Sequence, residues 1–151
     1  MKREKINYKI EDFKKEHIKD LVEIENCCFT TPWTKHMFLK EFENNLSHYK
    51  VIIVEGKVVA YAGIWLIVDE GHITNVAVHP KYKGNGFGNI VMQALIDLCK
   101  EKNVKSMTLE VRTKNQVAIN LYEKYDFKKA GIRKEYYPDT KEDALIMWKE
   151  L

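Results

Sequence analysis

The sequence predicts an α+β fold, a mixed but mostly antiparallel central sheet with helices on its faces. Three observations carry that reading. Three β-rich runs between Tyr49 and Val78 are separated only by the turns Glu55-Gly56-Lys57 and Asp69-Glu70-Gly71, the pattern of an antiparallel meander. Past Val78 the apolar period switches to helical spacing, then runs strand, helix, strand, strand. The chain has 151 residues, 45% hydrophobic and 31% charged, the size and balance of one soluble globular domain spanning residues 1–151.

Each element has its own signal. Ile6, Tyr8 and Ile10 alternate with polar residues as a first strand. Ile18, Leu21, Val22, Glu25 and Cys28 follow a helical spacing up to the loop Phe29-Thr30-Thr31-Pro32-Trp33. Thr34 is the natural N-cap of a shorter helix carrying Phe38 and Phe42. The meander comprises Val51 to Val54, Val58 to Val68 and Ile73 to Val78. A helix from near Phe87 to near Asn103 puts Val91, Leu95, Leu98 and Cys99 on one face. Met107 to Val111 is a strand, and Asn115 to Tyr125 a helix with Val117, Ala118, Leu121 and Tyr122 on its apolar side. Phe127 to Lys134 and Ala144 to Trp148 close the sheet. No repeat, low-complexity stretch or linker interrupts this order.

Bulk properties exclude several classes. The net charge of +3 comes from 25 basic and 22 acidic residues in mixed order, which argues against a dedicated nucleic-acid binder. The small positive excess suits an anionic ligand. The longest apolar run, Val58 to Val68, falls short of the roughly 20 residues of a membrane-spanning helix. No membrane association is expected. Met1-Lys2-Arg3-Glu4-Lys5 is charged without an apolar stretch, so no secretory signal is expected and the cytoplasm is the default compartment. Cys27, Cys28 and Cys99 lack metal-site spacing and read as small apolar residues.

The most informative stretch is Val76-Ala77-Val78-His79-Pro80-Lys81-Tyr82-Lys83-Gly84-Asn85-Gly86-Phe87-Gly88. A strand runs into a glycine-rich loop and then a helix, whose first turn offers unpaired N–H groups and the positive end of its dipole. The glycine spacing fits neither the dinucleotide fingerprint nor a P-loop, which also needs a following Lys-Ser/Thr pair. A surface turn before a helix is the plain alternative.

The second constellation is Leu109-Glu110-Val111-Arg112, then Asn115, Ala118, Leu121-Tyr122-Glu123-Lys124 and Phe127. Thr108, Glu110 and Arg112 share one face of a strand. Plain readings exist here too: a Glu110–Arg112 pair at a strand end, Asn115 as an N-cap, Tyr122 as core. The glycine loop's resemblance to a known acyl-CoA loop, Lys83-x-x-Gly86-x-Gly88, implies transfer of an acyl group from a thioester to an amine, which gives them sharper roles. It needs a base for the amine and a proton for the departing thiolate. An α-amine, with a pKa of about 7.7–8.0, is partly neutral at physiological pH, whereas a lysine near 10.4 is rarely so.

Lys83-x-x-Gly86-x-Gly88 resembles the acyl-CoA loop of the GCN5-related N-acetyltransferase (GNAT) family, with Lys in place of the usual Arg. The resemblance covers nearly the whole chain. It includes Glu25-x-x-Cys28-Phe29-x-x-Pro32-Trp33, Asp69-Glu70-x-His72-Ile73-x-Asn75-Val76-Ala77-Val78, Arg133-Lys134-x-Tyr136-Tyr137 and Glu142-Asp143-Ala144-x-Ile146-Met147. Within the family the chain resembles the branch that acetylates the N-terminal alanine of the eighteenth small-subunit ribosomal protein. The resemblance implies a GNAT-type fold with acetyl-CoA as cosubstrate and a ribosomal-protein N-terminus as acceptor. It implies cofactor contacts from Val76, Ala77, Val78, Lys83, Gly84, Asn85, Gly86, Phe87, Gly88, Asn89 and Asn115. Glu110 would accept the proton and Tyr122 donate one.

Phe29, Trp33, Tyr136 and Tyr137 lie on two loops that would flank the acceptor, although Trp33 and one tyrosine packing on the sheet is the plain reading. Asp69, Glu70 and His72 look like metal ligands, but on a hairpin their spacing faces mixed ways. No metal is expected, and His72 reads as structural or substrate-side. Asp126 stands where the family usually has Gly, in a turn that needs the left-handed conformation Asp tolerates. Another amine acceptor, such as a lysine side chain or a polyamine, is the first alternative. A non-catalytic acyl-CoA-binding subunit is the second.

Overall fold

The computed structural model describes residues 5–151, so the charged residues 1–4 lie outside it. Its elements are β1 (Lys9–Asp12), α1 (Ile18–Cys28), α2 (Lys35–Glu43), β2 (Ser47–Val54), β3 (Lys57–Ile67) and β4 (Glu70–Val78). Then follow α3 (Phe87–Glu101), β5 (Ser106–Arg112), α4 (Gln116–Lys124), β6 (Lys128–Arg133) and β7 (Ala144–Glu150). One sheet runs in the order β1-β2-β3-β4-β5-β7-β6. All its pairs are antiparallel except β4 with β5. This is the expected α+β architecture.

Strand alternation divides the core between the two faces of the sheet. Ile52, Ala60, Ala62 and Ile64 pack with Val91, Met92 and Leu95 of α3 and with Ile119 and Tyr122 of α4. Val51 and Tyr61 face the other way, onto Leu21 and Ile24 of α1 and Phe38 of α2. Fully burying one such side chain stabilises by about 1.5–3 kcal/mol. Thr34 caps α2 as expected, its hydroxyl accepting from Met37 N at 3.3 Å.

Four local readings change. The first strand starts later, at Lys9, and lies at the sheet edge with Ile10 exposed, so alternation there marks no core face. The β3–β4 turn falls at Val68-Asp69, and Gly71 belongs to β4. A Cβ on Gly71 would come within 2.8 Å of Ile64 Cδ1 and 3.1 Å of Cys99 Sγ, so this glycine serves close packing under α3. Cys27 is exposed and Cys28 half-buried, and only Cys99 is a core residue. Val117 is 84% exposed. Ile119 and Tyr122 occupy the core side of α4, leaving Val117, Ala118 and Leu121 as the wall of a cleft. Among the described residues no helix is long and apolar enough to cross a membrane.

Candidate active site

The site begins with a parting of two strands. β4 and β5 pair in parallel only from Glu70↔Ser106 to His72↔Thr108. Just beyond, the β3–β4 register shifts so that Gly63 faces Asn75 and Ile64 faces Ile73, leaving Thr74 unmatched as a bulge. The rest of β4 pairs with β3 alone. A cleft of about 720 Å³ opens along that free edge, between β4, the glycine loop and α4.

Val76, Ala77, Val78, Lys83, Gly84, Gly86, Phe87, Gly88, Asn89 and Asn115 all line this cleft, joined by Cys28, Phe29, Tyr122 and Lys124. Gly84 and Gly86 take φ of 81° and 79°, left-handed conformations that cost an L-residue about 1–2 kcal/mol. Gly86 is the N-cap of α3, and no side chain caps that helix, so its first backbone donors are left for the cleft. Gly88 is helical and needs no such freedom; it keeps the wall low beside Leu121 and Val78. Asn85 is not among the lining residues: its Nδ2 turns back to Tyr82 O at 2.9 Å and braces the loop. Asn115 lines the cleft and also caps α4, its Oδ1 accepting from Ala118 N at 3.2 Å. The far rim is tied by Lys124 Nζ donating to Asn89 Oδ1 and Tyr125 Oη donating to Asn89 O, each at 2.9 Å.

Glu110 lies on β5 outside the lining of the cleft. The partner that its strand face suggested, Arg112, turns away to Asp139 and Glu142. Glu110 instead meets His72 across the parallel pair, Oε2 to Nε2 at 2.6 Å, with Arg133 Nε at 3.8 Å from Oε1. The hydrogen bond from His72 lowers its pKa below 4.5, and the charges of His72 and Arg133 add to that against the opposing effect of burial.

Tyr122 is buried on α4, where burial and then Tyr137 push its pKa up. It edges against Phe127 and lines the cleft, and its hydroxyl has no hydrogen-bond partner among the described residues. Burial also lifts Tyr137 to about 12, with Glu110 adding to the rise and the charge of Arg112 opposing it. Tyr137 thus stands within electrostatic reach of both Glu110 and Tyr122.

Sequence reasoning missed the partnership of His72 with Glu110. The residues are 38 apart, and only the β4–β5 register brings them together. Among the described residues no three His, Cys, Asp or Glu side chains converge as a metal site. Of the aromatic residues, Phe29 lines the cleft and Tyr136 packs edge-on against Tyr137 at 5.0 Å. Trp33 is half-buried, its ring against Phe38 of α2 at 5.4 Å. Its backbone N–H donates to Glu25 Oε1 at 2.9 Å, and the buried Glu25 carboxylate also accepts from Tyr61 Oη.

A parted parallel strand pair and a helix without a side-chain cap behind a glycine loop frame the cleft, with Tyr122 on its wall and Glu110 outside its lining. The chain belongs to the acetyltransferase (GNAT) family, whose model matches residues 18–127, and it is an acetyltransferase enzyme. It is 44% identical over 140 residues to a Bacillus subtilis (strain 168) protein provisionally named as a ribosomal protein bS18-alanine N-acetyltransferase, covering 92% of this chain and 93% of the relative. It is 36% identical over 126 residues to the ribosomal protein bS18-alanine N-acetyltransferase of Escherichia coli (strain K12), covering 82% and 84%. The crystal structure of the ribosomal-protein-S18-alanine N-acetyltransferase from Escherichia coli superposes with a TM-score of 0.89 at 31% identity, covering 95% of this chain and 94% of that one.

Proposed function

We propose that the chain, as a single domain acting in the cytoplasm, transfers acetyl from acetyl-CoA to the α-amine of the N-terminal alanine of ribosomal protein bS18. One observation carries the chemistry: Tyr122, a buried tyrosine whose hydroxyl has no hydrogen-bond partner among the described residues, lines the cleft, and Tyr137 stands within electrostatic reach of both Tyr122 and the carboxylate Glu110. The names of the relatives supply the acceptor.

Acetyl-CoA supplies the thioester. The backbone donors at the start of α3, with Lys83 beside them, are suited to hold its pyrophosphate, and the free edge of β4 at Val76–Val78 to hold the pantetheine arm. The amine forms the new C–N bond as the C–S bond breaks. Its proton leaves towards the Glu110–His72 pair, and Tyr122 gives its own proton to the departing sulfur. A carboxylate held below 4.5 is a weak base alone. It is an effective counter-charge for the ammonium group that forms, so Glu110 and His72 work as a unit. A high pKa keeps Tyr122 protonated until a thiolate needs it.

The test is a peptide panel with acetyl-CoA. A bS18 N-terminal peptide starting at Ala should be acetylated, and the same peptide with a blocked α-amine should not. Transfer to a lysine-bearing blocked peptide or a polyamine, with none to the free α-amine, overturns the acceptor. Acetyl-CoA binding without transfer to any amine overturns the enzyme's proposed mechanism.

A further inference from the structure

We propose that Asp139 is a positioning residue, a strap that ties the α1–α2 loop to the β6–β7 loop and so sets the shape of the acceptor entrance. This rests on the reading of the site given above. The two loops come from opposite ends of the chain and from opposite sides of the parting between β4 and β5. Asp139 Oδ2 accepts from Thr30 Oγ1 at 2.7 Å and Thr31 Oγ1 at 3.3 Å, contacts 109 and 108 residues apart in sequence. The same carboxylate receives Arg112 Nη2 at 3.1 Å on Oδ1 and 3.0 Å on Oδ2. Its side chain is only 19% exposed.

The strap is joined to the catalytic strand. Arg112 lies two residues after Glu110 on β5 and sends its other arm to Thr140 Oγ1 at 2.8 Å. Its guanidinium covers the Tyr137 ring at 4.0 Å. On the other loop, Phe29 lines the cleft immediately before Thr30. Asp139 therefore links the loop of Phe29, on the wall of the cleft, to Tyr137, which is within electrostatic reach of Glu110 and Tyr122. Polar loop tips are ordinarily the loosest part of a fold, and charge-assisted bonds such as these hold them in one arrangement. The hydrogen bond from Thr30, then those from Arg112, lower the Asp139 pKa from 3.8 to about 2, so the strap stays charged at physiological pH.

Neither Asp139 nor the threonines line the cleft, so the strap should bear on the acceptor more than on acetyl-CoA, which it reaches only through Phe29. The experiment compares wild type, the Thr30→Val/Thr31→Val double variant and Asp139→Asn on the Ala-starting peptide, with acetyl-CoA affinity measured separately. The double variant removes the arm across the entrance and leaves Arg112 bound to Asp139. Both variants should raise the peptide KM about tenfold, the scale of lost bonds to a charged group. The change in kcat and in acetyl-CoA Kd should stay within about twofold, and combining the variants should add little further, as for one shared unit.

Hydrogen exchange of residues 29–33 and of the Tyr137 and Lys141 amides should quicken in both variants. That readout holds whichever amine is the acceptor. An unchanged peptide KM and unchanged exchange overturn the strap while leaving the acetyltransferase reading intact. A rise in KM for Asp139→Asn alone also overturns it, because Asp139 would then act only within its own loop. No transfer to the peptide by wild type sinks the acceptor reading, and exchange then decides on the strap.

Discussion

One continuous stretch, residues 76–89, supplies strand edge, turn and helix start to the glycine-loop cleft. The group around Glu110 is assembled from His72 on β4, Arg133 on β6 and Tyr137 in the β6–β7 loop. The first region works through backbone: two left-handed glycines, an uncapped helix and a strand edge without a neighbour. The second works through side chains whose charges are balanced against one another. Backbone sites tolerate change in side chains but not in conformation, and side-chain networks do the reverse. The two regions should therefore fail differently, one in affinity and the other in turnover.

The largest failure should come from Glu110→Gln, which keeps the shape and removes the charge. It should lower kcat about 100-fold, within the usual range for a general base, and leave acetyl-CoA Kd within about twofold. Steady-state kinetics and calorimetry check both. Equal losses in binding and turnover would abolish the distinction between the regions. His72→Ala sharpens it. The His72 hydrogen bond is the main cause of Glu110's low pKa. Without it the pKa rises towards 4.5, so the acid limb of the kcat–pH profile moves to higher pH. The sign for stability agrees: a carboxylate depressed on folding contributes stability above its unfolded value. That contribution is lost as pH falls through the folded one. An acid limb that stays in place after His72→Ala would separate the two residues.

The same contrast decides what was legible before the structure. The helices, the meander and the cleft are written in local terms, as periodicity, turn residues and one short motif. Ten of the eleven residues expected at the cofactor lie on one cleft for that reason, and Asn85 departs because its amide has a nearer carbonyl to satisfy. The Glu110 cluster has no local signature. Thr108, Glu110 and Arg112 share a strand face, yet the partners of Glu110 depend on which strand lies beside β5 and in what register. Val117 misled for a related reason: a helix wall facing a cleft carries the same apolar residues as one facing the core.

A middle-sized effect tests the backbone region. At Gly86 an added Cβ meets nothing within 4 Å, so Gly86→Ala costs only what a φ of 79° imposes, about 1–2 kcal/mol of stability. Relaxing that strain turns the first amides of α3, and acetyl-CoA Kd should rise about tenfold, equivalent to about 1.4 kcal/mol. At saturating acetyl-CoA, kcat should stay near wild type. A fall in saturated kcat with unchanged Kd would show that the glycine loop reaches the chemistry itself.

The smallest effect concerns the end of α4, where the two regions share a residue. Phe127 N donates to Tyr122 O at 3.1 Å and Asp126 N to Glu123 O at 3.0 Å, the paired bonds of a Schellman stop. The Tyr122 and Phe127 rings meet 6.0 Å apart, which is that motif's apolar contact. The stop fixes the Tyr122 backbone from below while its ring forms part of the cleft wall. Its left-handed position is held by Asp126 at φ 69°, where glycine would be unstrained. Asp126→Gly relieves that strain and makes the unfolded chain freer, two effects of opposite sign. The net should be a gain of no more than about 1 kcal/mol in urea unfolding, with kcat and acetyl-CoA Kd both within about twofold. A change in kcat would mean that Asp126 sets the position of Tyr122 through more than the helix stop, because every bond of the stop itself is made by backbone that glycine retains.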